Sequence, residues 1–405
     1  LNNLAYCEHI ECTNPCGEQP LPPDGCCDLG HTNLATMVDR PFEPGAEFRF
    51  DKLEAAARIM VRLLDNVLDE TQWPMPEQAE EARLKRRIGL GFTGLATALQ
   101  QMNIPYGSKE AVSLTREVAR KQAIAAYWAS VELAKERGPF PLYDRKKFLA
   151  APFVRRLPED LRDAISEHGI RNGVLLSIAP TGTTSLVLGN VSSGVEPVFG
   201  HKYRRKVRAD NGQLDDEYSV YDYGYLKFCQ LKGYDPDLTH EWEGRAGFVT
   251  AGDLTVEQHL QMTAAVQEWV DAAVSKTINC PTSMTFEEFK RVYARAYELG
   301  MKGCTTYRPD PRSARGAILT VDAPGDREEV NHADQSAKDR VDAARCAQPD
   351  PGKVMEQDQM VADVVQEAPP PTDEVLALVQ DKIPMQDVVE GRRYRIRWPT
   401  EDCAY

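Results

Sequence analysis

Residues 174–179, Val-Leu-Leu-Ser-Ile-Ala, are a compact apolar run that flows straight into Pro180-Thr181-Gly182-Thr183-Thr184-Ser185. No other stretch constrains the fold as much. Six residues with Val174 and Ile178 among them read as a buried strand rather than as a helix. The surrounding sequence is largely helical. Residues 50–68 place Ala56, Ile59, Met60, Leu63 and Val67 at three- and four-residue steps, as an amphipathic helix should. Residues 89–102 read as a second helix, Gly-rich at its start, and 108–136 as a long third one ended by Gly138-Pro139. A short helix over 159–168 is closed by Gly169, and further helices are expected over 215–231, 255–274 and 285–299. Residues 303–308 read as another short strand. The class is therefore α/β.

A strand that runs into a hydroxyl-rich Gly turn is one way to build a phosphate cradle. Free backbone N–H groups at a helix start offer hydrogen bonds and a positive dipole end, and Thr and Ser hydroxyls add donors. No Lys follows Gly182, so this is not a Walker loop. The same residues also suit a capped turn without a ligand, and the local sequence leaves both readings open. Downstream, Lys202, Arg204, Arg205, Lys206 and Arg208 read as a solvated strand face.

Composition excludes several classes. A 405-residue chain that is 42% hydrophobic can bury a sizeable core, and its formal charge of -14 argues against a surface that coats nucleic acid. No apolar run reaches membrane-spanning length and no signal segment opens the chain, so no membrane association and a cytoplasmic location are expected. Ten cysteines are too sparse for a disulfide scaffold, yet Cys7, Cys12, Cys16, Cys26 and Cys27 crowd into the first 27 residues. No CxxC knuckle accompanies them. We assign no metal site, and Cys7 and Cys12 read as ordinary small residues.

Within that cluster, Asn14-Pro15-Cys16-Gly17-Glu18-Gln19 alternates an amide, a thiol and a carboxylate. Pro15 and Gly17 oppose a helix, and in an extended segment positions i, i+2 and i+4 share one face. The spacing therefore predicts Asn14, Cys16 and Glu18 side by side. Such a set can hold a hydroxyl, react and move a proton.

Several separated motifs together resemble ribonucleotide reductase large subunits. They are Asn14-Pro15-Cys16-Gly17-Glu18, Cys27-Asp28-Leu29-Gly30 and Ala179-Pro180-Thr181-Gly182-Thr183-Thr184-Ser185. Ser193-Gly194-Val195-Glu196-Pro197, Ser275-Lys276-Thr277-Ile278-Asn279 and Lys302-Gly303-Cys304-Thr305-Thr306-Tyr307-Arg308 are most similar to the adenosylcobalamin-dependent, class II branch. The resemblance implies reduction of ribonucleotides, with diphosphates the expected form, to deoxyribonucleotides. It implies a thiyl radical at Cys16, proton transfer by Glu18, and hydroxyl binding by Asn14. Cys27 would be one of two reducing cysteines, and Pro180, Thr181, Gly182, Thr183, Thr184 and Ser185 would hold the substrate phosphates. The implied fold is the second half of a ten-stranded α/β barrel with the radical cysteine on a finger loop.

The resemblance also says what to expect beyond this sequence. The partner of Cys27 and the site for dNTP or ATP effectors would lie upstream of Leu1, so the chain is expected to be part of a longer enzyme. Cys26 is no substitute partner, because adjacent cysteines rarely meet disulfide geometry. A thioredoxin or glutaredoxin type reductant and a homodimer are the implied partners. The expected division is 1–315 as barrel, 316–389 as an acidic, Pro-containing disordered linker, and 390–405 as the start of a small C-terminal domain. A class I large subunit fed by a separate metal-containing subunit is the alternative within the family, and it would show a tyrosine pair where Tyr307 stands single. A catalytically incomplete nucleotide-binding fragment is the alternative outside it.

Overall fold

A computed structural model describes residues 2–208, 214–308 and 319–320, and for 205–208, 214–217 and 319–320 the backbone alone. They fall in a unit spanning Leu1–Val330. The expected segment 390–405 lies outside the described residues, as does the expected linker 316–389 apart from one short strand given below.

The chain opens with a small antiparallel hairpin, β1 (Cys12–Thr13) and β2 (Pro20–Leu21). Strand β3 (Asp28–Asn33) follows, then the short pair β4 (Val38–Asp39) and β5 (Glu47–Phe48), and helix α1 (Phe50–Glu70). Helix α1 forms where its periodicity predicts, but the buried stripe is Leu53, Ala57, Val61, Leu64 and Leu68. Of the predicted face, Ile59, Leu63 and Val67 are exposed. Both stripes recur at helical steps, so periodicity alone does not choose between them.

Helix α2 (Pro76–Lys85) leads into β6 (Ile88–Thr93), and α3 (Leu95–Gln101) comes next. The expected helix over 89–102 is thus a strand followed by a short helix. Every residue of β6 is buried. A Gly-rich strand buried on both faces shows no period of two, and this is why its sequence reads ambiguously. Helix α4 (Lys109–Arg137) starts on a Ser108 cap whose side chain accepts from Ala111 N, and ends at Gly138, φ 81°. Helices α5 (Arg145–Leu149) and α6 (Glu159–His168) complete the crossover to residues 174–179.

Beyond the Pro180 turn and the short α7 (Thr184–Val187) lies a ribbon of β7 (Lys202–Arg208) and β8 (Leu214–Tyr221), followed by α8 (Tyr223–Lys232). The helix expected over 215–231 is therefore half strand. Register sets Lys206 opposite Glu217 and Val207 opposite Asp216. Helix α9 (Val256–Gln267) stops seven residues short of the expected end at 274, because Ala272, Ala273 and Ser275 give their backbone N–H groups to Leu176, Glu18 and Ile178 instead. The chain closes with β9 (Thr277–Asn279), α10 (Phe286–Glu298), β10 (Thr305–Tyr307) and β11 (Leu319–Thr320). Strand β11 falls inside the expected linker and pairs with β7.

These strands line up in chain order. β3 pairs in parallel with β6, Leu90 of β6 bridges Leu176, Ile178 bridges Val274, and β9 pairs in parallel with β10. Helices connect each neighbour to the next, as parallel strands require. The result is an open α/β run with no closed barrel among the described residues. Two buried carboxylates brace it. Asp271 accepts from Leu175 N at 3.0 Å, Leu176 N at 2.7 Å and the Tyr127 hydroxyl at 2.7 Å. Asp65, fully buried on α1, accepts from Arg86, Arg137, Arg171 and Asn172. Among the described residues, no helix is long and apolar enough to cross a membrane.

Candidate active site

Asn14 to Gln19 are the tip of the β1–β2 hairpin, not an extended segment. Gly17 N donates to Asn14 O at 3.0 Å and Gly17 takes φ 80°, so the tip turns back on itself. A positive φ costs a residue with a Cβ more than it costs glycine. Asn14 then links both arms. Its Oδ1 accepts from Gln19 N at 3.0 Å and its Nδ2 donates to Glu18 Oε1 at 2.7 Å. The expected extended segment is a turn, and it is this turn rather than strand alternation that pairs the amide with the carboxylate.

Cys16, between these two residues in sequence, is exposed. Glu18 is 1% exposed, and its Oε2 is buried with no hydrogen-bond partner among the described residues. Both ends of the buried Gln19 amide are likewise unpartnered. Buried polar atoms of this kind are uncommon and mark where an absent partner fits. The finger is pinned from below by its backbone, because Glu18 O accepts from Ala273 N at 2.9 Å and from Ser177 Oγ at 3.1 Å.

Cys27 enters β3 from the residue just before it, and its thiol points at Asp28 O, 3.3 Å away. Burial pushes this thiol well above the usual cysteine range; Arg87 opposes that shift, while Asp28, Cys26 and Glu18 add to it. Cys27 is thus a protonated thiol at rest. Across the ladder lies Gly89. A side-chain carbon there would fall 2.7 Å from Gln19 Nε2 and 3.1 Å from Cys27 Sγ, so the finger and Cys27 border the same small space.

The Pro180 turn lies at the other end of the same strand. Thr93 Oγ1, the last side chain of β6, is 3.1 Å from Thr181 Oγ1, which also accepts from Gly194 N at 2.8 Å. Thr181 adopts φ 51°, a conformation costly for a β-branched residue and held here by these bonds. Ser185 is equally occupied, bonded to Ser193 Oγ at 2.8 Å, and Thr184 Oγ1 donates to Thr181 O at 3.2 Å. Of the six expected phosphate ligands, the hydroxyls of Thr181 and Ser185 are therefore structural. Gly182, Thr183 and Thr184 are exposed. Glu196 secures the loop above, accepting from the buried Lys276 Nζ at 2.7 Å and from Thr277 N at 2.6 Å.

The structure joins Asn14 to Glu18, leaves Cys16 exposed on the turn between them in sequence, sets Cys27 beside their hairpin, and joins Thr181 to the far end of β6. Sequence reasoning missed Gln19 as a participant and missed the inward glycines of β6. Alternation along β3 would have found the shared face.

Residues 1–307 match the family model described as ribonucleotide reductase, barrel domain. The chain is 38% identical over 330 residues to a vitamin B12-dependent ribonucleoside-diphosphate reductase of Mycobacterium tuberculosis, covering 78% of this chain and 42% of that protein. It is 32% identical over 323 residues to the protein of the same name from Thermoplasma acidophilum, covering 77% and 39%. A ribonucleoside-diphosphate reductase subunit alpha of Chlamydia pneumoniae is 27% identical over 339 residues, covering 74% and 31%. The chain spans less than half the length of these curated relatives.

Proposed function

This chain belongs to the ribonucleotide reductase family by its barrel domain, and from that premise we propose that its site reduces ribonucleoside diphosphates to deoxyribonucleotides. The observation that carries the reading is the finger tip. An exposed thiol lies two residues in sequence from both an amide and a buried carboxylate that are hydrogen-bonded to each other, and one carboxylate oxygen has no partner among the described residues.

In this reading the Cys16 thiyl radical takes the hydrogen from C3′ of the ribose. Glu18 accepts the proton of the 3′ hydroxyl, and Asn14 holds the ribose hydroxyls in place. The 2′ hydroxyl leaves as water after taking a proton from a dithiol. The dithiol gives a hydrogen atom to C2′ and its remaining electron to the 3′ ketone and becomes a disulfide, Glu18 returns the proton to the 3′ oxygen, and Cys16 returns the hydrogen atom to C3′. Cys27 is one member of that dithiol; its partner, an upstream cysteine in the family, would come from outside this chain. A thiol that burial keeps protonated carries the hydrogen this step needs.

Adenosylcobalamin is the proposed cofactor, since two of the relatives are named as vitamin B12-dependent. The exposure of Cys16 at the finger tip suits a bulky group approaching the sulfur. When bound, that cofactor supplies the radical that Cys16 carries. The parallel run from β3 to β10 is, in this proposal, the second half of the ten-stranded barrel. Pro180 to Ser185 take the substrate phosphates through the exposed backbone of Gly182 to Thr184 and the Thr183 hydroxyl, while Thr181 and Ser185 hold the shape. A thioredoxin or glutaredoxin type reductant, dNTP or ATP effectors and a homodimer complete the proposal for the whole enzyme.

The test is Cys16→Ser in the full-length protein. Deoxynucleotide formation is expected to vanish while cytidine diphosphate still binds; retained turnover would overturn the radical assignment. Activity that needs an iron- or manganese-loaded partner subunit in place of adenosylcobalamin would hand the site to the class I alternative.

A further inference from the structure

Strand β3 sorts its side chains by face. Gly30 lies against Met60 and Leu64 of α1, and Thr32 donates to Gln122 of α4 at 2.9 Å, so even positions face the helices. Cys27, Leu29, His31 and Asn33 take the other face. Register sets Leu29 opposite Gly89, His31 opposite Gly91 and Asn33 opposite Thr93. A side-chain carbon on Gly91 would fall 3.3 Å from His31 Nδ1 and 2.5 Å from the Ser177 carbonyl. His31 Nδ1 is buried and has no hydrogen-bond partner among the described residues. The glycine leaves the imidazole its place, and no described residue satisfies the imidazole's inner nitrogen.

The position of this orphan carries the argument. On the same face of β6, Gly89 lies beside Cys27 Sγ and Gln19, Gly91 beside His31, and Thr93 is bonded to Thr181 at the head of the Pro180 turn. Four residues of strand span about 13 Å, so His31 stands about 6 to 7 Å from either end. A ribose with phosphates on its 5′ oxygen spans such a path. Its hydroxyls would face the cysteines, its outer phosphates would reach the turn, and its first phosphate would pass His31.

We propose that His31 is a further substrate contact, donating a hydrogen bond from Nδ1 to an oxygen of the first phosphate of a ribonucleoside diphosphate. Burial holds the ring below its usual pKa, in keeping with a neutral imidazole that donates from one nitrogen. The inference rests on the functional reading above and adds a specificity group that none of the motifs contains.

The test compares binding of cytidine diphosphate and of cytidine to the full-length protein with His31→Leu, His31→Asn and His31→Gln. Asn places a polar group near Nδ1 and Gln near Nε2. One hydrogen bond to a charged acceptor is worth roughly tenfold in affinity. His31→Leu and His31→Gln are expected to weaken cytidine diphosphate by about that factor and to leave cytidine unchanged, with His31→Asn within about threefold of the parent. Should Leu fail to fold, the contrast between Asn and Gln decides. Unchanged diphosphate affinity in both Leu and Gln variants, or equal losses for cytidine, would overturn the contact while leaving the Cys16 reading intact. A parent protein that binds cytidine as tightly as its diphosphate would overturn the phosphate turn and this inference together.

Discussion

The finger tip and the Pro180 turn are both tight turns rich in polar side chains, yet they treat those side chains in opposite ways. At the finger, Glu18 Oε2 and both ends of Gln19 are buried without partners, and Cys16 is exposed. At the turn, Thr181 and Ser185 spend their hydroxyls on Thr93, Gly194 and Ser193. An unsatisfied buried group costs about 1–3 kcal/mol, so a chain keeps one where a visiting molecule completes it. A satisfied hydroxyl instead fixes a backbone shape, and that shape presents the neighbouring N–H groups. In the proposed reading, chemistry belongs to the side chains of the finger and binding to the main chain of the turn.

The comparison breaks most visibly at the reducing end. Cys27→Ser in the full-length protein is expected to allow at most one turnover; sustained multiple turnovers with a dithiol reductant would remove Cys27 from the reaction. A smaller effect is expected at the turn. Thr181→Ala strips two hydrogen bonds from a residue held at φ 51°, which predicts a rise in KM of about tenfold with kcat nearly unchanged, whereas Thr183→Ala shifts KM by less than about threefold. Equal losses in the two variants would mean the hydroxyls bind phosphate directly.

The smallest effect concerns the support beneath the turn. Asn190, just past α7, donates from Nδ2 to Tyr221 O at 2.7 Å, next to Asp222, which caps α8. Burial raises the Asp222 carboxyl to about 7, against the hydrogen bonds from Tyr225, Gln100 and Gly224 that lower it. A raised folded-state pKa favours the protonated form. Its stabilising contribution is full below the ordinary aspartate range and is lost as pH climbs through about 7. Asp222→Asn should flatten that decline in melting temperature between about pH 4 and pH 7 by a few degrees. A decline of the same size in the variant would place its origin elsewhere.

How much of this was legible depended on whether a signal lay within one segment. Helices α4, α6 and α10 follow from periodicity and from Ser108, Gly169 and Thr285 at their ends. The motif at Asn14 was legible as a set of polar residues at alternate positions, but the contact between 14 and 18 was not, since an extended strand holds them about 13 Å apart and only the tight turn closes that distance. Strand β6 was not legible, since glycines at 89 and 91 erase alternation and their purpose lies on other strands, at Cys27 and His31. Strand β8 looked helical because Asp215, Asp216 and Glu217 are poor strand formers, and only pairing with the basic β7 gives them a reason to extend. His31 carries no motif at all. Its interest comes wholly from the residue opposite.

The Glu18 carbonyl takes one bond from Ser177 and another from Ala273, on two different strands. The finger is thereby strapped across a seam rather than fastened to one plank. A displacement of either neighbouring segment therefore pulls on one shared oxygen, so the hairpin answers to both of them at once.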